Sequence, residues 1–290
     1  MPVNAIAKLV GEYDTKLWRV IRHYVDKARD NEDYSQIHRI GMDETSSKRG
    51  HNYISVFVDP DRSKVIYATE GKDASTVKSF AEDLTCHQGN LESIEDVTCD
   101  MSPAYIKGVN DSFPEARITF DKFHVVKQMN EAVDEVRRKE QKYNQNLKLS
   151  RYIWLKNPNN LTSSQAETLQ SLSRMNLKTV KAYNIKLAFQ EFWSIHDIIA
   201  AEYYLKRWYF WATHSRLEPI KIFAYTVKAH WDGIINYIRT GITNGILEGI
   251  NSLIQAAKRK ARGYRSTRNL ITIIYLTCGK LSFNLPSAFT

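Results

Sequence analysis

The chain has 290 residues, 43 % of them apolar, enough for one large domain or two smaller ones around a sizeable core. Its 41 basic against 32 acidic residues leave a net charge of +9, which favours a polyanionic partner because each neutralised phosphate releases counterions; solubility alone is the plainer account. No apolar run approaches the ~20 residues needed to cross a bilayer, and Cys86, Cys99 and Cys278 form no CxxC pair, which argues against membrane insertion and a zinc ribbon; the odd cysteine count and the lack of a visible signal peptide fit a reducing cytoplasm.

Residues 1–34 read as a short helix-turn-helix. Residues 5–10 form a first helix closed by Gly11, and Asp14 N-caps a second with Leu17, Val20, Ile21, Tyr24 and Val25 on one face. Lys16, Trp18, Arg19, Arg22 and His23 would then point outward, as a recognition helix requires; a plain helical hairpin is the alternative.

Residues 35–140 change character. A strand-like run over 36–42 ends in the carboxylate pair Asp43-Glu44. Residues 52–58 and 64–69 form an antiparallel hairpin around the turn 59–62. Asp73 or Ser75 caps a helix to about Cys86 with Val77, Phe80, Ala81 and Leu84 as its apolar stripe. Residues 94–99 read as a buried strand, Ser102-Pro103 opens another helix, 116–120 is a short strand, and Asp121 caps a helix to about residue 140. Residues 141–240 are helical throughout, with capping-box spacing between Ser215 and Glu218. The aromatic clusters of this stretch read as core ahead of base-stacking platforms. Residues 241–290 return one further helix and a basic segment. The predicted fold class is therefore α/β: an RNase H-like core, a mixed five-stranded sheet with flanking helices, interrupted by an all-helical insertion and preceded by the helix-turn-helix.

Three carboxylates stand out by context. Asp43 and Asp100 sit at the ends of strand-like runs, and Glu248 lies in the first turns of the late helix. Strand-end carboxylates can converge above a sheet, and a helix packed across it can supply a third. Such hard oxygen ligands suit Mg²⁺ or Mn²⁺, and two ions can activate the attacking oxygen and stabilise the leaving one in phosphoryl transfer. Each has a plainer account: Glu44 competes with Asp43, Asp100 can bond the helix starting near Ser102, and Glu248 can serve the helix dipole alone. In the late helix Ile246, Ile250, Leu253, Ile254 and Ala257 make an apolar stripe, and Glu248, Asn251, Ser252, Gln255, Arg259 and Arg262 a polar one. Lys258, Arg259, Lys260, Arg262, Arg265 and Arg268 carry six positive charges with no acid between them, as backbone-phosphate contacts or a solvated face. Tyr264 can stack on a base or pack internally. Asp121 and His124 are possible accessories: the first reads as an N-cap, the second as a proton shuttle, a phosphate contact or a satisfied first-turn histidine.

Gly41-Met42-Asp43-Glu44, the run from Asp100 to Tyr105, Asp121-Lys122-Phe123-His124, and Thr243-Asn244-Gly245 through Tyr264 together resemble the DDE transposases of the ISL-three insertion-sequence family. The resemblance runs over nearly the whole chain. It implies an RNase H-like fold, a metal-ligand triad of Asp43, Asp100 and Glu248, and cleavage of element ends with joining of the 3′-OH to target DNA. Double-stranded DNA, a homo-oligomer on paired ends, and a bacterial cytoplasm with nucleoid association are the expected partners and place. Longer members carry a cysteine zinc ribbon ahead of this region, which leaves recognition of terminal repeats open. Two other readings stay open: a non-catalytic DNA-binding remnant, and a host nuclease with the same core.

Overall fold

The computed structural model describes residues 2–48, 50–241 and 245–285. The chain divides into two compact units, residues 1–118 with 243–290, and residues 119–242.

The first unit begins with helices α1 (Val3–Leu9) and α2 (Asp14–Asp30). Tyr13, not Asp14, occupies the N-cap of α2, without a side-chain cap. Asp14 is instead the first helical residue, where its charge complements the helix dipole. The face of α2 also differs from expectation. Trp18 is buried and Val20 is exposed, because Trp18 and Val25 lie two turns apart on the side that meets the rest of the unit.

The sheet follows. Strands β1 (Arg39–Lys48), β2 (Asn52–Asp59) and β3 (Lys64–Glu70) form an antiparallel meander, and β4 (Asp96–Cys99) pairs parallel to β1. With β5 (Arg117–Phe120) the order is β3-β2-β1-β4-β5, the RNase H-like arrangement expected from the sequence. Alternation along β2 sends its side chains to two cores. On one face Phe57 stacks on Phe80, ring centroids 4.4 Å apart, from helix α3 (Ala74–Cys86). Asp73 caps α3 by accepting the Ser75 N–H at 3.0 Å, and Val77, Phe80, Ala81 and Leu84 are its buried stripe, as predicted. Helix α4 (Pro103–Ser112) packs beside α3. On the other face Ile54, Val56 and Val58 form one core with Leu247, Ile250, Ile254, Leu270 and Ile274.

The second unit opens with the end of β5 and helix α5 (Lys122–Gln141), N-capped by Asp121, which accepts the Phe123 N–H at 2.9 Å. Six helices follow: α6 (Arg151–Leu155), α7 (Ser163–Ser173), α8 (Lys178–Phe192), α9 (Ile198–Thr213), α10 (Glu218–Ala229) and α11 (Trp231–Thr240). Phe189 sits among Phe192, Trp193, Trp208 and Phe223, so these aromatics are core. Phe210 and Trp211, in contrast, are exposed. Ser215 and Glu218 do not form a capping box: Leu217 is the N-cap of α10, and the Ser215 hydroxyl accepts the Leu217 N–H at 3.2 Å. A full capping box exists instead at Thr162 and Gln165 on α7. Lys186 is fully buried and donates to the carbonyls of Trp154 at 2.9 Å and Leu155 at 2.8 Å, satisfying the end of α6. Among the described residues no helix is long and apolar enough to cross a membrane.

The chain returns to the first unit with α12 (Gly245–Lys260) and α13 (Thr267–Cys278). The buried stripe of α12 is Leu247, Ile250 and Ile254, and Leu253 is exposed. The apolar run of this helix offers two overlapping stripes, and packing on the sheet selected the one beginning at Leu247.

Candidate active site

Parallel pairing levels the two strand carboxylates. The β1–β4 ladder ends at Gly41 opposite Thr98. Extending that register by two residues aligns Asp43, still within β1, with Asp100, the first residue after β4, so both fall where the two strands part. Asp43 is not at a strand end as seen from β2, because β1 continues through its hairpin partner to Lys48. It is at an end as seen from β4, and there the sheet opens.

Helix α12 lies along β1 in matched register. Gly41 faces Leu247, whose Cδ1 is 2.9 Å from where a β-carbon on Gly41 would stand. The Asn251 amide donates to Asp43 Oδ2 at 2.6 Å, the Gln255 amide to Thr45 Oγ1 at 2.7 Å, and Lys258 Nζ to the Ser46 carbonyl at 2.8 Å. Four helical residues rise about 6 Å and two strand residues about 6.6 Å, so contacts recur at every turn without strain. The glycine at position 41 permits this close approach, since any side chain there would hold the helix off.

Both aspartates are half-buried and tied to the backbone. Asp43 Oδ1 accepts the Glu44 N–H at 2.7 Å. Asp100 Oδ1 accepts the Ser102 N–H at 2.9 Å, just before α4, where Ser102 itself makes no side-chain cap. Glu44 lies on the opposite face of β1 and approaches Lys72 at 4.0 Å. Tyr105, hydrogen-bonded to the Ser55 hydroxyl at 2.8 Å, feels all three carboxylates: burial pushes its phenol well above its ordinary pKa, and Glu44, Asp100 and Asp43 push it further. Burial and then Asp100 raise the Cys99 thiol in the same way. Negative charge is therefore concentrated where the two strands part.

Glu248 is exposed in the first turn of α12, three residues before Asn251 and so on the same side of the helix. Thr243 and Asn244 lie outside the described residues. The donor set is all oxygen and strongly negative, which fits a hard divalent cation in its chemistry. Among the described residues no three His, Cys, Asp or Glu side chains stand close enough together to hold one ion.

The candidate DNA contacts are distributed as follows. Lys16 is ion-paired with Glu12, Arg19 is exposed, and Arg22 donates to Asn269 Oδ1 at 3.4 Å. Arg259, Arg262 and Arg265 are exposed. The Tyr264 ring packs edge-on against Trp18 at 6.2 Å. In the second unit Asp121 is the expected N-cap, and His124 Nδ1 lies 2.7 Å from its Oδ2, which fixes the imidazole over the first turn of α5. Sequence reasoning passed over Gly41 and Leu247. A glycine inside a strand two residues before a carboxylate was the available signal.

The mixed five-stranded sheet in the order β3-β2-β1-β4-β5, with helices on both faces, defines the class as an RNase H-like fold. Comparison with known proteins agrees: the ISL3-type DDE family described as Transposase matches residues 40–274, and the chain belongs to that family. Divalent metals and DNA are general to it. The chain is 31 % identical over 261 residues to the transposase for insertion sequence element IS1001 of Bordetella parapertussis, covering 86 % of this chain and 64 % of that protein. It is 28 % identical over 307 residues to the transposase for IS1557 of Mycobacterium tuberculosis, covering 96 % of this chain and 67 % of that one. The chain thus spans about two thirds of the length of these relatives.

Proposed function

We propose that this chain is the catalytic portion of a DNA transposase that cuts duplex DNA at insertion-sequence ends and joins the freed 3′-OH to target DNA. The observation that supports this reading is the parallel β1–β4 register, whose extension by two residues aligns Asp43 with Asp100, together with the Asn251–Asp43 hydrogen bond that seats α12 on β1 with Glu248 one turn before Asn251. Asp43 and Asp100 are the residues to hold Mg²⁺ or Mn²⁺, two ions in all, with Glu248 completing the second position. Divalent ions held by these carboxylates would supply charge neutralisation at the scissile phosphate and activation of the attacking oxygen.

The chain's own side chains do the positioning. The Asn251 amide orients the Asp43 carboxylate, and Ser102 and Glu44 backbone N–H groups fix the aspartate rotamers. Tyr105 stays a neutral phenol beneath the carboxylates. Arg259, Arg262 and Arg265 hold the DNA backbone, with Lys16, Arg19, Arg22, Gln255, Lys258 and Tyr264 as further candidate contacts. Glu44, Asp121 and His124 remain accessory candidates. Duplex DNA is the substrate, a homo-oligomer on paired ends the working assembly, and the bacterial nucleoid the place.

The test is cleavage of a labelled duplex with Mn²⁺ or Mg²⁺, the native sequence beside Asp100→Ala, with strand-transfer products assayed in parallel. Cleavage lost in the variant supports the assignment, and joined products separate a transposase from a nuclease that only cuts. Metal-dependent cleavage that survives Asp100→Ala overturns it. DNA binding without cleavage by either protein replaces it with a non-catalytic remnant.

A further inference from the structure

The N-terminal helix pair reads by sequence as a free recognition module, yet part of its would-be reading face is turned inward, with Trp18 buried and Arg22 half-buried while Lys16, Arg19 and His23 stay exposed. Trp18 forms a small core with Val3 and Ile273, flanked by Leu17, Ile21, Ala257 and Tyr264. Arg22 is tied to Asn269 of α13. A recognition helix presents such residues to base edges in the major groove, and here two of them are spent on holding α2 against α13.

That docking builds a groove of about 680 Å³ between the start of α1, the start of α2 and the α12–α13 connection. Lys8, Arg22, Lys260, Arg262 and Arg265 line it, against the single acid Asp14. The connection is shaped for this. Arg262 and Gly263 both take left-handed backbone (φ 55° and 93°), and the Gly263 N–H closes back on the Lys258 carbonyl at 2.9 Å. The chain therefore reverses abruptly at the end of α12 and returns Arg262 and Arg265 to the same hollow that receives Lys260. Seen from the sequence, Lys8 and the run 260–265 are remote; in the fold they face one concavity.

We infer that this groove is a phosphodiester-backbone clamp for duplex DNA, positioning the strand without reading its bases. Phosphate contacts fix register and orientation, and base contacts specify; the groove itself is lined by cations, and Lys16, Arg19 and His23 of the candidate reading face lie outside it. The inference rests on the proposed function and deepens it. The helix that touches Asp43 through Asn251 is the helix that delivers Lys260. Nine residues of helix separate them, a rise of about 13.5 Å, which is about four base pairs of duplex. A duplex running along α12 would meet the clamp about four base pairs from the carboxylates.

The test is the salt dependence of binding by the full chain to two unrelated DNA duplexes. Lys8→Gln/Lys260→Gln/Arg265→Gln removes three groove cations, all exposed, so the fold is retained and checked by thermal unfolding. Lys27→Gln/Lys78→Gln/Lys107→Gln removes the same charge elsewhere on the first unit. Expected is a fall in the slope of log K against log salt of up to about 2.7 for the groove variant on both duplexes, at about 0.9 per phosphate contact, and a clearly smaller fall for the control. Equal falls in both variants overturn the clamp while leaving DNA as the substrate. A loss confined to one duplex overturns the sequence-independent reading. No salt-sensitive binding of either duplex by the unsubstituted chain overturns the proposed function and the clamp with it.

Discussion

Gly41→Ala tests the seating of α12 on β1. The added β-carbon would stand 2.9 Å from Leu247 Cδ1 and 3.3 Å from its Cγ. Ordinary carbon contacts begin near 3.5 Å, so the helix or the leucine must yield by roughly half an ångström or more. Leu247 is buried in the core between the sheet and α12–α13, which leaves it little room. Overpacking of this kind costs about 1–3 kcal/mol, and the stiffer unfolded chain returns about 0.4–1 kcal/mol, for a net loss of about 1–2 kcal/mol. In a unit of this size that lowers Tm by about 2–8 °C. Activity should suffer more than stability, because any outward movement carries Asn251 away from Asp43, and a displacement of 1 Å can cost about 100-fold. Thermal unfolding and metal-dependent strand cleavage are measured for Gly41→Ala, Leu247→Ala and the double variant. Removing the leucine's outer carbons makes room for the new methyl, so the double variant is more stable than the sum of the two losses, with a coupling of 0.5 kcal/mol or more. Strict additivity, or full cleavage by Gly41→Ala, refutes the matched register.

Three further outcomes are expected. Asn251→Leu keeps the size of the side chain but removes the donor to Asp43; a hydrogen bond to a charged group contributes about 1.5–3 kcal/mol, so cleavage falls about 10- to 100-fold in a metal titration while the fold persists. Gly233→Ala in the second unit drives a methyl to 2.4 Å from the Phe120 ring, which outweighs the roughly 1 kcal/mol gain in helix propensity; thermal unfolding shows a net loss, and a stabilised variant would contradict the packing. Burial lowers the Lys186 ammonium to about 8 from its ordinary 10.5. The unfolded chain then binds that proton more tightly, so the penalty is fully present below pH 8 and stability rises with pH between about 8 and 10.5. Lys186→Met removes this rise, and denaturant titrations of both proteins across the window reveal it as a difference in slope.

Much of the molecule was legible locally because local rules decide it. The turn at 59–62 and the alternation around it set the β2–β3 hairpin. Asp73 and Asp121 cap their helices because a short side-chain oxygen before a helix can satisfy an orphan N–H. The stripe Val77, Phe80, Ala81 and Leu84 faces inward because one face of α3 is apolar and the other is not. Spacing alone misled at Ser215 and Glu218, where the helix begins two residues too late for the box to close. The carboxylates Asp43, Asp100 and Glu248 could be singled out by position in their segments, but not their relation to one another.

That relation belongs to tertiary structure. Asp43 and Asp100 come level through a parallel pairing between distant strands, and nothing in either segment encodes the register of the other. Sequence pointed to the stripe Ile246, Ile250, Leu253, Ile254 and Ala257 on α12, whereas the fold buries Leu247 with Ile250 and Ile254 and leaves Leu253 exposed; the close approach permitted by Gly41 accommodates Leu247 and brings Asn251 onto Asp43. Trp18 looked like a surface residue on an amphipathic helix, and the apolar surface offered by Ile273 and Tyr264 drew it inward. Sequence by itself determined the elements, the charge and the candidate chemistry, because these depend on near neighbours. The tertiary structure alone decided which faces meet, because burial of apolar surface is shared between segments and is settled only when both are in place.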